Sequence, residues 1–149
     1  MTRTAARELA IELVFAVTAN GGCPEAVLDE FFSPEHYGSL ASEDPRFTEL
    51  PDEAQMLYIR GIVTGVYEHL EEINNYILKY SRGWKVERIS RTAAAVLRCA
   101  IYEILYLDDV PDAAAINEAV ELAKGYDEPE TVSFINGVLG SFLRGEKEQ

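Results

Sequence analysis

The chain is poor in the residues that most often reveal a chemistry. Its 149 residues include two cysteines, two histidines, two methionines and one tryptophan. Cys23 and Cys99 exclude a disulfide framework and a CxxC zinc knuckle, and nothing in the sequence supports a bridge between them. His36 and His69 have unrelated surroundings. Glu68, His69, Glu71 and Glu72 read as a solvated acidic helix face, because a metal site needs several convergent ligands. There is no GxGxxG, Walker loop, GxSxG or HExxH. No acid–base pair or activated nucleophile assembles, so the expectation is that the protein is not an enzyme and carries no cofactor or metal. No apolar run reaches membrane-spanning length. The start, Met1-Thr2-Arg3-Thr4, lacks the apolar core of a secretory signal. A soluble cytoplasmic protein without membrane contact is the default. Cationic residues are also scarce, 13 Lys+Arg against 26 Asp+Glu, for a net charge of −13. Such a balance excludes broad non-specific attraction to nucleic acid or membranes, though not a local basic patch.

Hydrophobic residues make up 48% of the chain, which argues for a folded core rather than disorder. The length fits one domain, or at most two small helical lobes. Leu9, Leu13 and Val17 recur at helical spacing over 4–19, and Asn20-Gly21-Gly22 stops that helix. A short helix follows over 24–32. Residues 33–50, with Pro34, Gly38 and Pro45, read as a connection with one helical turn. Residues 51–80 form two helices bent near His69–Glu72. The longest helix spans 86–107, and others span 112–124, with Asp112 as N-cap, and 129–143. The tail 145–149 reads as frayed. No stretch alternates with period two. The fold class is therefore all-α, a bundle of about seven helices, divided into a subbundle near 1–80 and another near 84–144. The core should include Leu13, Val96, Leu97, Ile101, Ile116, Val120, Phe134 and Leu139. Gly61 and Gly65 have the spacing of a close helix–helix contact. Cys99 sits in an apolar stretch and reads as buried and inert.

The positive charge is unevenly spread. Residues 79–98 carry Lys79, Arg82, Lys85, Arg88, Arg91 and Arg98 against the lone carboxylate Glu87. At about 100° per residue, Arg91 and Arg98 fall within about 20° of each other and roughly opposite the apolar stripe. Arg3 and Arg7, four apart, share one face of the first helix, while Glu8 and Glu12 lie on another. Two readings stand: a solvated face of arginines paired with carboxylates, or an anion-binding face for RNA with aromatic rings nearby for stacking.

Several linked motifs resemble the NusB family. Trp84 through Arg88-Ile89, followed by Val96-Leu97-Arg98 and Tyr102-Glu103-Ile104, is similar to its W-x-x-x-R-I … VLR-x-A-x-YEL pattern. Ile116-Asn117-Glu118-Ala119-Val120-Glu121-Leu122-Ala123-Lys124 resembles its INEAVELAK. Phe134-Ile135-Asn136-Gly137-Val138-Leu139 resembles its FVNGVL, and Arg3-Thr4-Ala5-Ala6-Arg7-Glu8 its arginine-rich start. The match is specific over 84–143; residues 20–80 share only the helical pattern.

The resemblance implies two small packed bundles. It implies a transcription antitermination factor that binds boxA RNA with NusE, a small-subunit ribosomal protein, and through it joins other Nus factors and RNA polymerase. It implies RNA-binding roles for Arg3, Arg7, Phe15, Glu130 and Phe134. Phe15 stands where the family often has tyrosine, so a ring remains for stacking without the hydroxyl. Arg98 matches the VLR arginine, and is either RNA-facing or paired with a carboxylate such as Glu103. Asn117 and Glu118 are expected to stabilise helix packing, and Asn136-Gly137 to permit close helix contact. The N-terminal segment has two arginines where relatives often have four or five. Fewer phosphate contacts mean weaker binding by the isolated chain and more reliance on the partner. Some family members form homodimers, and either state fits this sequence. Two other functions compete: a protein–protein adaptor without RNA binding, favoured by the acidity, and an accessory domain of a ribosomal RNA methyltransferase.

Overall fold

Thr2 opens the first helix and Gly21 closes it. In the computed structural model, which describes residues 1–81 and 89–147, the Thr2 hydroxyl accepts from the Ala5 N–H at 3.0 Å. That satisfies one of the orphan donors of a helix start. Gly21 adopts a left-handed φ of 66° and returns its N–H to Val17 O at 3.0 Å, a conformation that costs glycine little. The helices are α1 (Arg3–Asn20), α2 (Pro24–Phe31), α3 (Pro34–Leu40), α4 (Glu53–Glu68), α5 (Leu70–Tyr80), α6 (Arg91–Tyr106), α7 (Asp112–Ala123) and α8 (Pro129–Glu146), with a 3-10 turn at Pro45–Phe47. No strand occurs among the described residues. The eighth helix is α3, which the proline- and glycine-containing connection had concealed. Ser33 caps it, accepting from His36 N–H.

Two compact units divide at Glu68/His69. In the first, α1 packs mainly on α4, with α2 against both. Leu9, Leu13, Val14 and Val17 meet Leu28, Ile59, Ile62 and Val66 in a dry core. The connection 33–50 is pinned by rings. Phe47 sits edge-on to Phe31 and Tyr37 at 6.0 and 5.5 Å, and the Tyr37 hydroxyl donates to Glu49 O at 2.9 Å. Such edge-to-face pairs each add about 0.5–1.5 kcal/mol beyond area burial.

In the second unit α6 is central, packing on α5, α7 and α8. Val96, Leu97, Ile101 and Ile104 are buried against Ile73, Ile135, Leu139 and Phe142. α5 buries Ile73 and Ile77 and packs on α6 and α8. This is why the division falls at 68/69 and not near residue 80. The helix expected from residue 86 begins at Arg91, capped by Ser90, whose hydroxyl accepts from Ala93 N–H at 3.0 Å; residues 86–88 lie outside the described residues. Asp112 is the first helical residue of α7 rather than its cap. α7 turns Ala115, Ala119, Leu122 and Ala123 inward and leaves Ile116 and Val120 half-buried. The buried face of α7 is thus mostly alanine, with Leu122 its one large side chain. The tail is tied down through Lys147, which donates to Ile104 O at 3.1 Å and pairs with Asp112 at 3.5 Å. A cation at that position answers the exposed carbonyls ending α6. Gly61 is exposed, with nothing within 4 Å of where a Cβ would stand, so it makes no close helix contact.

Candidate nucleic-acid interface

The sequence-predicted residues fall on two faces, one in each unit. On α1, Arg3 is exposed and makes no ion pair among the described residues. Arg7 is half-buried, its guanidinium 5.6 Å from the ring centroid of Tyr58. This contact holds the Arg7 side chain against Tyr58 of α4. Phe15 is half-buried two turns further on. By helical rotation it stands about 80° from Arg7 and only about 20° from Glu8. The ring therefore neighbours the acidic side of the helix rather than the arginine face.

That acidic side is answered by a residue the sequence did not single out. Arg46, in the 3-10 turn, reaches Glu8 at 2.9 Å, Glu12 at 3.1 Å and Asp44 at 2.8 Å. Its bonds to Asp44 and Glu12 hold its pKa above the ordinary arginine value, and it holds the Asp44 carboxyl below the usual range. One guanidinium against three carboxylates leaves the cluster net negative, so the clamp reduces the acidity beside Phe15 without cancelling it. Arg46 lies 34 residues from Glu12 and 38 from Glu8, so no local pattern signals it.

On α8 the structure shows an open cavity of about 620 Å³, lined by Tyr80 from α5 and by Glu130, Ser133, Phe134, Gly137, Val138, Ser141 and Arg144. It joins Glu130 and Phe134, two of the predicted site residues. Phe134 is only 6% exposed. Its ring belongs to the α8 core and lines the cavity, rather than standing free for a base to cover. Gly137 is exposed, with nothing within 4 Å of where a Cβ would stand. It keeps the cavity open and does not serve close helix packing as expected. Asn117, Glu118 and Asn136 are likewise exposed rather than packed. Tyr80 donates its hydroxyl to Glu146, which also receives Lys79 at 2.8 Å. The shared carboxylate raises the pKa of Tyr80, and its two donors lower that of Glu146.

Arg98 belongs to neither face. It is half-buried, and its Nε donates to Asn74 Oδ1 at 2.9 Å, bracing α6 against α5. Burial lowers its pKa from the ordinary value, though a guanidinium remains charged. Of the basic stretch 79–98, Lys79 is paired with Glu146 and Arg91 is exposed at the start of α6, while Arg82, Lys85 and Arg88 lie outside the described residues. No helix among the described residues is long and apolar enough to cross a membrane.

Comparison with known proteins accounts for this arrangement of helices. The NusB family profile matches residues 4–144. The transcription antitermination protein NusB of Symbiobacterium thermophilum is 37% identical over 147 residues, 99% of this chain and 92% of its own. That of Acetivibrio thermocellus is 40% identical over 144 residues, 97% and 90% of the two chains. Among solved structures, T. maritima NusB superposes with a TM-score of 0.76 at 26% identity, covering 97% of this chain and 92% of that one. The fold is also that of a NusB solved with NusE and double-stranded RNA, with a TM-score of 0.74 at 21% identity over 96% of each chain. By its near-complete match to the family profile, and by the relatives it resembles along almost their whole length, this chain belongs to the NusB family.

Proposed function

We propose that the protein is a transcription antitermination factor that binds boxA-type single-stranded RNA together with NusE and thereby promotes processive transcription of ribosomal RNA operons. The observation that carries this reading is the family match over residues 4–144, to relatives that are themselves antitermination proteins. The protein works by binding, not by turnover, and acts in the cytoplasm, where nascent RNA emerges. NusE is its direct partner; other Nus factors and RNA polymerase follow through the complex.

Roles divide by chemistry. Arg3 and Arg7 contact phosphates, which position the strand without reading it. Phe15 offers the exposed part of its ring to an unpaired base beside the carboxylates that Arg46 clamps. The α8 cavity takes a second base, with Phe134 as its apolar lining and Glu130 at its mouth accepting from an amino edge. Arg98 stays with the fold. A face with two arginines in a chain of net charge −13 binds RNA weakly alone, and NusE supplies the remaining cationic surface.

The test is a titration of labelled boxA-like RNA with the chain, with NusE, and with both. Binding that tightens at least tenfold when both are present supports the reading. A chain that binds NusE yet leaves its RNA affinity unchanged is an adaptor, and the reading fails.

A further inference from the structure

A second cavity opens at the seam of α7 and α8, about 260 Å³ in volume and lined by Asn117, Val120, Glu121, Val132, Ser133 and Asn136. Asn117 and Asn136 are exposed, and among the described residues neither side chain makes a hydrogen bond. Val120 and Val132, both half-buried, supply apolar walls. Glu121 stands beside them, paired with Lys124 at 2.7 Å. Ser133 also lines the larger cavity, so the two adjoin along α8.

The chemistry narrows the occupant. A volume below the ~300 Å³ floor of ordinary ligand pockets suits one ring rather than a whole nucleotide. Aliphatic walls suit a flat apolar face. Two carboxamides in the lining offer donors and acceptors, the groups with which asparagine reads a base edge. The Glu121 carboxylate, its charge offset by Lys124, still only accepts hydrogen bonds. Uracil shows two carbonyls around its one N–H, so it sets oxygen against oxygen there. Adenine, guanine and cytosine each carry an amino group.

We propose that this cavity is a subsite for one unpaired, amino-bearing base of the bound RNA, with Asn117 and Asn136 as its specificity-determining residues. The proposal rests on the RNA-binding reading above and adds a position at which the sequence is read. Both asparagines hold their polar groups at the surface, where an unpaired base can reach them.

The test uses the full chain with NusE and a boxA-like single strand. Each amino-bearing nucleotide is replaced in turn by its counterpart lacking the amino group: inosine for guanosine, purine riboside for adenosine, zebularine for cytidine. At one position the replacement should weaken wild-type binding roughly 5- to 150-fold, the range of one well-made base contact. The same replacement should cost the doubly substituted Asn117→Ala, Asn136→Ala protein nothing further. Both sites are exposed and alanine favours helix, so folding is retained and is checked by circular dichroism. If no position shows a loss that disappears in the double variant, the subsite is wrong while the RNA-binding reading stands. If the double variant loses NusE binding without RNA, the cavity belongs to the protein partner and the proposal is overturned. If wild type fails to bind the RNA at all, both fall.

Discussion

α1 and α8 are both 18-residue helices carrying predicted RNA contacts, yet they present them by different physics. α1 offers charge: Arg3 exposed, Arg7 held over Tyr58, and the nearby carboxylates bridged by Arg46. α8 offers shape: a cavity whose lining is mostly small or polar, with Phe134 buried along it. Charge acts over roughly a Debye length, about 8 Å at physiological salt, and tolerates loose placement. Shape acts only at contact and depends on the scaffold underneath. The α8 face should therefore be the more sensitive to changes in the core, and the α1 face to changes in salt.

The largest effect should come from that scaffold. Leu97 of α6 is fully buried in the unit that carries the α8 cavity. Leu97→Ala should lower stability by about 2–5 kcal/mol in urea denaturation followed by circular dichroism. Leu57, 70% exposed on α4, is the control, and its truncation should stay within about 0.5 kcal/mol. Equal losses at the two positions would show that the core is not where the structure puts it.

Next come the RNA contacts, where the comparison can be broken directly. Phe15→Ala should cost about 1–3 kcal/mol of RNA affinity with the salt dependence unchanged. Arg3→Ala and Arg7→Ala should each weaken binding to every RNA and lower the salt slope by about 0.7. Phe134→Leu keeps an apolar lining and tests the cavity without emptying the core; its loss, too, should be independent of salt. A Phe134 variant that changes the salt slope, or an arginine variant that does not, would erase the distinction between the two faces.

A smaller effect isolates the clamp. Arg46→Met leaves Glu8, Glu12 and Asp44 facing one another and should lower stability only slightly at neutral pH, because solvent screens such exposed pairs. The pH sign follows from Asp44, whose carboxyl is held below its usual range by Arg46. A depressed folded pKa contributes stability above the unfolded value. That contribution is lost as pH falls through the folded pKa. Wild type should thus lose stability below about pH 4 more steeply than Arg46→Met. Parallel acid titrations of the two proteins would remove the clamp from the account.

Much of this architecture is readable from residue order because its causes are local. Gly21, the break at His69, and the stripe of Val96, Leu97 and Ile101 each follow from spacing or backbone preference within a few residues. What spacing misleads on is tertiary. Arg98 appears on a polar arc of its helix but meets Asn74 from α5, 24 residues away. Ile116 and Val120 fit an apolar stripe, yet they stay half-buried while Ala115, Ala119, Leu122 and Ala123 take the core. The arginines of α1 stand out in the sequence because charge is a property of a residue. The α8 cavity could not, because an empty volume is a property of an arrangement; Gly137 and Ser133 carry no signal alone.

The smallest effect is the most local and tests whether polar groups in the second unit act only on their neighbours. The Tyr106 hydroxyl donates to Glu72 Oε1 at 2.6 Å and lies 3.2 Å from His69 Nδ1, with the two rings stacked at 4.4 Å. Chiefly through the bond to Glu72, the phenol pKa is pushed up to about 12. Removing the proton would set a phenolate against a carboxylate. A raised folded pKa contributes stability below the unfolded value, about 10, which is lost as pH rises through the folded one. Nothing should therefore change at neutral pH. In an ultraviolet titration of the folded protein, one tyrosine should ionise near pH 12, and Glu72→Gln should bring it back towards 10. Tyr106→Phe should remove that step altogether. Neither variant should alter RNA affinity or its salt slope, since the pair belongs to neither proposed RNA face. A titration in which Glu72→Gln leaves the high step in place would assign it to another tyrosine, and Tyr80, raised by its own carboxylate at Glu146, is the one to substitute next.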